Sequence, residues 1–134
     1  MLERVETDYG IIDIERPAAA KIIKETILKQ DEVYGITNAN GIRSTVSSRF
    51  AFDRDKDYIR IIKDKEDGIF IEVDLILYFG VSISGVTDRL IREIRMDLAG
   101  QADIDPAQVT LHIIGLKPSG KGRKIIERDI VVKG

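Results

Sequence analysis

The sequence predicts an α+β domain: a two-layer fold in which a mixed β-sheet carries two amphipathic helices packed on one face. Three observations lead there. Residues 69–79, IFIEVDLILYF, place Ile69, Ile71, Val73, Leu75, Leu77 and Phe79 on one side of an extended strand. Residues 19–30 and 86–98 repeat apolar side chains at helical spacing. Short β-branched runs at 33–37, 109–114 and 125–132 supply further strands. Each helix then offers one apolar stripe and the long strand one apolar face, and stacking them buries all three. The 134 residues suit a single domain, with a variable loop at about 38–57 and a C-terminal extension at about 116–134.

The elements follow in order. Tyr9 to Ile14 reads as a short strand, and Pro17 opens the first helix, where its missing N–H is not needed. Ala19, Ile22, Ile23, Thr26, Ile27 and Gln30 form one face of that helix, opposite Lys21, Lys24, Glu25 and Lys29. Residues 33–37 form a second short strand. The Asn-Ala-Asn-Gly turn cluster at 38–41 and the Asp53–Asp57 charge run bound a weakly patterned stretch, expected to be a mobile loop. Residues 58–65 and 69–79 form a hairpin, with Glu66-Asp67-Gly68 as a three-residue loop and Gly68 in the left-handed conformation. That loop would set Ile61 opposite Val73, Ile59 opposite Leu75, Arg60 opposite Asp74 and Ile62 opposite Glu72. Ser84 is the expected N-cap of the second helix. Val86, Leu90, Ile91, Ile94 and Leu98 are its buried stripe, and Gly100 its end. A connector containing Pro106 leads to the closing strands.

Composition excludes several classes of function. The chain is 43% hydrophobic and 33% charged, with Lys plus Arg 21 against Asp plus Glu 23 and a net charge of -2. Nothing in that balance draws the whole molecule to nucleic acid or membrane. Cysteine is absent, which removes thiolate catalysis and Cys-ligated metals and fits a reducing cytoplasm. The N-terminal MLERVETDYG has no apolar signal core, which argues against secretion. The apolar-rich run 69–81 is too short to span a bilayer and carries Glu72 and Asp74, so no direct membrane insertion is expected.

Few motifs carry chemistry. Gly115 and Gly120-Lys121 match most of the phosphate-loop pattern, but Gly122 stands where Ser or Thr should ligate Mg²⁺. Too little chain follows for the helix that would meet a phosphate, so the stretch reads as a hairpin or crossover loop. Lys117, Lys121, Arg123 and Lys124 make it a candidate basic contact loop; with Arg89, Arg92 and Arg95 on the second helix it supports an alternative reading as a small RNA- or nucleic-acid-binding module. Interleaved acids and an aromatic content of 6% weigh against that alternative. His112, the single histidine, has no companion ligands and reads as structural. Glu72 and Asp74 lie about 6.5–7 Å apart along one strand face, a spacing open to acid–base work. Arg60 and Lys63 on the neighbouring strand explain the two acids equally well as ion pairs. The serines have no recognisable His/Asp partners. No catalytic residue, metal site or cofactor is therefore assigned. Phe70, Ile76 and Tyr78 lie on the sheet face away from the core and form a candidate protein interface, unless another segment of the chain covers them.

Taken together, these elements resemble the bacterial alkaline shock protein family of envelope stress response proteins. The resemblance rests on Gly10-Ile-Ile-Asp-Ile-Glu15 leading to Val33-Tyr-Gly35, and on Val109-Thr-Leu-His-Ile-Ile-Gly115. It rests above all on Ile71-Glu-Val-Asp-Leu-Ile-Leu-Tyr-Phe-Gly80-Val-Ser-Ile83. It covers most of residues 9–115, while residues 38–57 carry no family signature and the tail 117–134 is longer and better patterned than the family leads one to expect. It implies a non-enzymatic cytoplasmic protein without a cofactor, linked to cell-envelope stress. Such a protein would self-associate as a homo-oligomer and gather at the membrane through a small membrane-anchored partner.

Overall fold

The computed structural model describes residues 8–37, 58–120 and 122–134, with side chains from Arg16 onward. The expected variable loop lies outside them. Helix α1 (Asp8–Leu28) and strand β1 (Val33–Ile36) come first. Strands β2 (Ile59–Asp64) and β3 (Gly68–Tyr78), helix α2 (Ile83–Ala102), and strands β4 (Gln108–Lys117) and β5 (Ile126–Lys133) follow. The strands form one five-stranded mixed sheet centred on β3. One edge of β3 pairs antiparallel with β2 along its first half and with β1 along its second. Its other edge pairs with β4 in parallel, and β5 closes that side antiparallel to β4. A parallel neighbour requires a crossover, which α2 supplies.

Both helices pack on the same face. Ala19, Ala20, Ile23 and Ile27 of α1, and Val86, Leu90, Ile91, Ile94 and Leu98 of α2, share one core with Val33, Ile59, Ile61, Ile71, Val73, Leu75, Leu77, Val109, Leu111 and Ile113 of the sheet. Burying each large aliphatic side chain contributes about 1.5–3 kcal/mol. The buried threonines of the two helices are satisfied within them: Thr87 lies 2.7 Å from the Ile83 carbonyl, and Thr26 lies 2.8 Å from that of Ile22. This is the predicted α+β architecture.

Local details differ from the sequence reading. Residues 9–14 belong to α1, not to a strand, and Pro17 sits inside the helix. A short apolar run fits either period, and no described strand pairs with this one. The β2–β3 hairpin does have a three-residue loop, but it is Lys65–Asp67, with Gly68 (φ 97°) already opposite Asp64. The Asp64 carboxylate accepts the N–H groups of Glu66 (2.9 Å) and Asp67 (3.1 Å), so the turn starts one residue early. Ile59 therefore pairs with Val73, Arg60 with Glu72, Ile61 with Ile71 and Ile62 with Phe70. A partner shift of two residues leaves every side chain on its predicted face. Helix α2 is capped by Ser82, not Ser84; the Ser82 hydroxyl accepts the Gly85 N–H at 3.2 Å. It passes through Gly100 to Ala102 and ends on Asp103, held left-handed (φ 56°). Phe79, placed on the core face by strand alternation, is 58% exposed: β3 stops at Tyr78, and Gly80 (φ 96°) turns the chain outward.

Two bulges shape the outer face. Tyr34 is an extra residue in β1, between Val33↔Leu77 and Gly35↔Ile76. Ile114 is an extra residue in β4, between Leu75↔Ile113 and Ile76↔Gly115. Both flank Ile76, and bulges add local bend and twist. Ile76 is fully buried there, outside the main core cluster.

Candidate interaction surface

The face of the sheet turned away from the helices is organised around a row of charges crossing four strands. Arg60 of β2 grips Asp74 of β3 with two N–H groups, at 2.9 and 3.0 Å, and donates from Nε to Glu72 at 3.1 Å. The fork geometry of a guanidinium matches a carboxylate in this way. Hydrogen bonding to Asp74, and then to Glu72, drives the Arg60 pKa upward against the penalty of partial burial. Beyond Asp74, His112 of β4 places Nδ1 3.6 Å from the Asp74 carboxylate and Nε2 2.6 Å from Asp129 of β5. Glu72 and Asp74 are thus held by one arginine, as the ion-pair reading of the sequence expects. His112 ties two strands together. Among the described residues no group of His, Asp or Glu is arranged to hold a metal ion.

Apolar side chains lie at the ends of this row. Toward the β2–β3 turn, Ile62 (48% exposed) is paired directly with half-buried Phe70. At the other end Tyr78 meets Tyr34 edge-on, with ring centroids 5.6 Å apart, and the Lys117 ammonium lies 5.8 Å from the centre of the Tyr34 ring. Val131 of β5 adds a further exposed apolar side chain, at 52%. Of the three residues singled out as an interface, Phe70 and Tyr78 reach the surface and Ile76 does not. Alternation alone gives its side of the sheet, not the depth that the flanking bulges create.

The basic residues divide into committed and uncommitted ones. On α2, Arg89 pairs with Glu32 at 2.7 Å and donates to the Gln30 side chain. Arg95 donates to the carbonyls of Pro106 (2.7 Å) and Gly134 (2.9 Å). Two of the three helix arginines behind the nucleic-acid reading are thereby spent inside the chain, and Arg92 remains exposed. Lys117 is partly held, donating to the Pro118 carbonyl at 3.0 Å. Lys121 lies outside the described residues, while Arg123 and Lys124 are exposed.

The loop that carries them joins two antiparallel strands. Its first residues, Gly115 to Lys117, are still in β4, and β5 follows it. The strand–loop–helix context of a phosphate loop is replaced by a β-hairpin, so no helix N-terminus meets the loop from its own downstream chain. Phe79, Pro118, Ser119, Arg123 and Ile126 line a shallow pocket of about 240 Å³ beside it. Strand alternation hid Phe79 from the sequence reading; Gly80, which breaks the strand, is the signal that could have revealed it.

The fold and this face together define a small two-layer α+β domain whose outer sheet surface is charged in the middle and apolar toward its ends. Residues 4–118 match the alkaline shock protein family, described as having a cell envelope-related function, and the chain belongs to that family. It is also similar to the uncharacterised protein Spy1614 of Streptococcus pyogenes serotype M6, with 20% identity over 123 residues, 90% of this chain and 99% of that protein. No solved structure matches. Strand β5 and most of the pocket lie beyond the residues that match the family. No helix among the described residues is long and apolar enough to cross a membrane.

Proposed function

We propose that this protein works without catalysis, as a cytoplasmic interaction or scaffold factor in cell-envelope maintenance or stress. In this reading it self-associates and meets the membrane through a small membrane-anchored partner. The observation that carries the proposal is the outer sheet face. Arg60, Glu72, Asp74, His112 and Asp129 are engaged with one another, whereas Ile62, Phe70, Tyr78 and Val131 present apolar surface around them. An apolar surface with charged neighbours is the composition of a protein contact. Membership in a family of cell envelope-related function supports the setting.

Affinity capture from native cells, with and without detergent, tests the partner. Recovery of a small membrane protein supports the proposal, and recovery of RNA in its place overturns it. Tyr78→Glu tests the surface: the variant stays folded, because Tyr78 is only half-buried, and its self-association weakens. An unchanged sedimentation profile in a folded variant refutes the role of this face.

A further inference from the structure

The β4–β5 hairpin and the end of β3 form a second surface, with a different chemistry from the outer sheet face. From Gly115 to Ile126 the chain carries Lys117, Lys121, Arg123 and Lys124 and no acidic residue. Arg123 and Lys124 make no ion pair with any described carboxylate, unlike Arg60, Arg89 and Arg95. The pocket between the hairpin and the end of β3 is walled by Phe79, Pro118 and Ile126, with Ser119 and Arg123 as its polar members. Phe79 is the most exposed aromatic side chain described. Gly120 (φ 105°) and Gly122 (φ 74°) adopt left-handed backbone that other residues resist. A side chain at Gly120 would meet the Arg123 side chain at 3.5 Å, so Arg123 lies across the bare glycine, beside the pocket.

We propose that this pocket docks an acidic segment of a partner protein, taking one apolar side chain between Phe79, Pro118 and Ile126 while Arg123 and Lys124 meet the flanking carboxylates. Charge complementarity selects the occupant. A cationic rim without internal acids attracts anions, and an apolar cleft of this size gives an anchoring side chain a place to lose water. A phosphate backbone would use the cations and leave the cleft unused. The second helix, with Arg89 and Arg95 internally bonded, offers little continuous basic track to extend such a contact. Ser119 supplies a hydroxyl for a carboxylate or a backbone group of the bound segment. The site is distinct from the outer sheet face, and it rests on the scaffold proposal only in supposing a protein partner.

The test uses the full chain and a fluorescein-labelled peptide, Glu-Asp-Phe-Asp-Glu, read by fluorescence anisotropy. Two comparison peptides replace its Phe by Ala or its acids by Lys. The acidic Phe peptide is expected to bind, the Ala peptide about tenfold or more weakly, and the basic one not at all. Phe79→Ser and the double variant Arg123→Glu/Lys124→Glu each lower affinity by at least about tenfold. Their thermal melts stay unchanged, since these side chains are exposed. Equal binding of the Phe and Ala peptides overturns the proposal, as does no binding at millimolar peptide. Arg123-dependent binding of phosphatidylglycerol vesicles or polyuridylate, with no peptide binding, also overturns it in favour of a lipid or RNA ligand. Sedimentation of the same samples reads the scaffold proposal separately. Assembly without peptide binding refutes only this pocket, and peptide binding by a strict monomer refutes only self-association.

Discussion

The two faces of strand β3 obey the same alternation and do opposite things. Toward the helices, Ile71, Val73, Leu75 and Leu77 are buried in one continuous apolar core. Away from them, Glu72 and Asp74 belong to the charged row of Arg60, His112 and Asp129, with Phe70 and Tyr78 at its ends. The inner face depends on volume and shape, which tolerate little change in a close-packed interior. The outer face depends on direction, since a guanidinium fork and a carboxylate must meet in plane. Apolar burial supplies most of the stability, while the charged row adds directional contacts between neighbouring strands.

The largest expected effect breaks this comparison most directly. Leu75→Ala empties part of the core and costs about 2–5 kcal/mol of unfolding free energy in urea. Phe70→Ala on the outer face, where the side chain is already partly in water, costs well under half as much. Equal losses at the two sites would mean that the outer face is packed like the inner one and is no surface at all.

An intermediate effect sharpens the polar side. Arg60→Met leaves Asp74, whose side chain is only 12% exposed, with much of its hydrogen bonding lost. The expected loss is about 1–3 kcal/mol, below that of a fully buried pair because the Arg60 side chain is 36% exposed. Adding Asp74→Leu should restore most of it, since removing both partners strands no charge. A double-mutant cycle measures the coupling. A double variant no better than Arg60→Met alone would show that Asp74 stabilises through His112 rather than through Arg60.

Legibility in the sequence followed the same division. The inner face is readable because a period of two or 3.6 summed over many residues survives local error. Even the misplaced hairpin loop, two residues off in partner assignment, kept every side chain on its correct face. Features decided by one atom were not readable. Ser82 and Ser84 are chemically equal as caps, and the geometry after Gly80 selects Ser82. The Asp64 carboxylate starts the turn early by taking two backbone N–H groups, a choice no periodicity reveals. The pairing of Arg60 with Asp74 was foreseen from opposite charges on adjacent strands. It forms diagonally, however, since Arg60 stands directly opposite Glu72. The burial of Ile76 and the exposure of Phe79 depend on bulges and on where β3 stops, so the candidate surface was legible only in part.

The smallest expected effect lies on the helix layer, where a polar seam borders the core much as the charged row borders the sheet. Arg89 bridges Glu32 and Gln30 from α2, and Asp97 stands 2.6 Å from the Thr26 hydroxyl of α1. Backbone hydrogen bonding at Glu32 itself, followed by the bond from Arg89, lowers its carboxyl pKa below the ordinary value. A folded pKa below the unfolded one means that the unfolded chain binds the proton more readily. Glu32 therefore contributes stability that is complete above the usual carboxylate range, about pH 4.3, and is lost as pH falls through the lowered folded value. Glu32→Gln should accordingly be less stable than the unaltered protein near neutrality, by no more than a few tenths of a kcal/mol for so exposed a pair. The two melting curves should converge as the pH drops below that range. A difference that persists unchanged in acid would assign the effect of Glu32 to packing rather than to charge, and would remove the parallel between the helix seam and the charged row of the sheet.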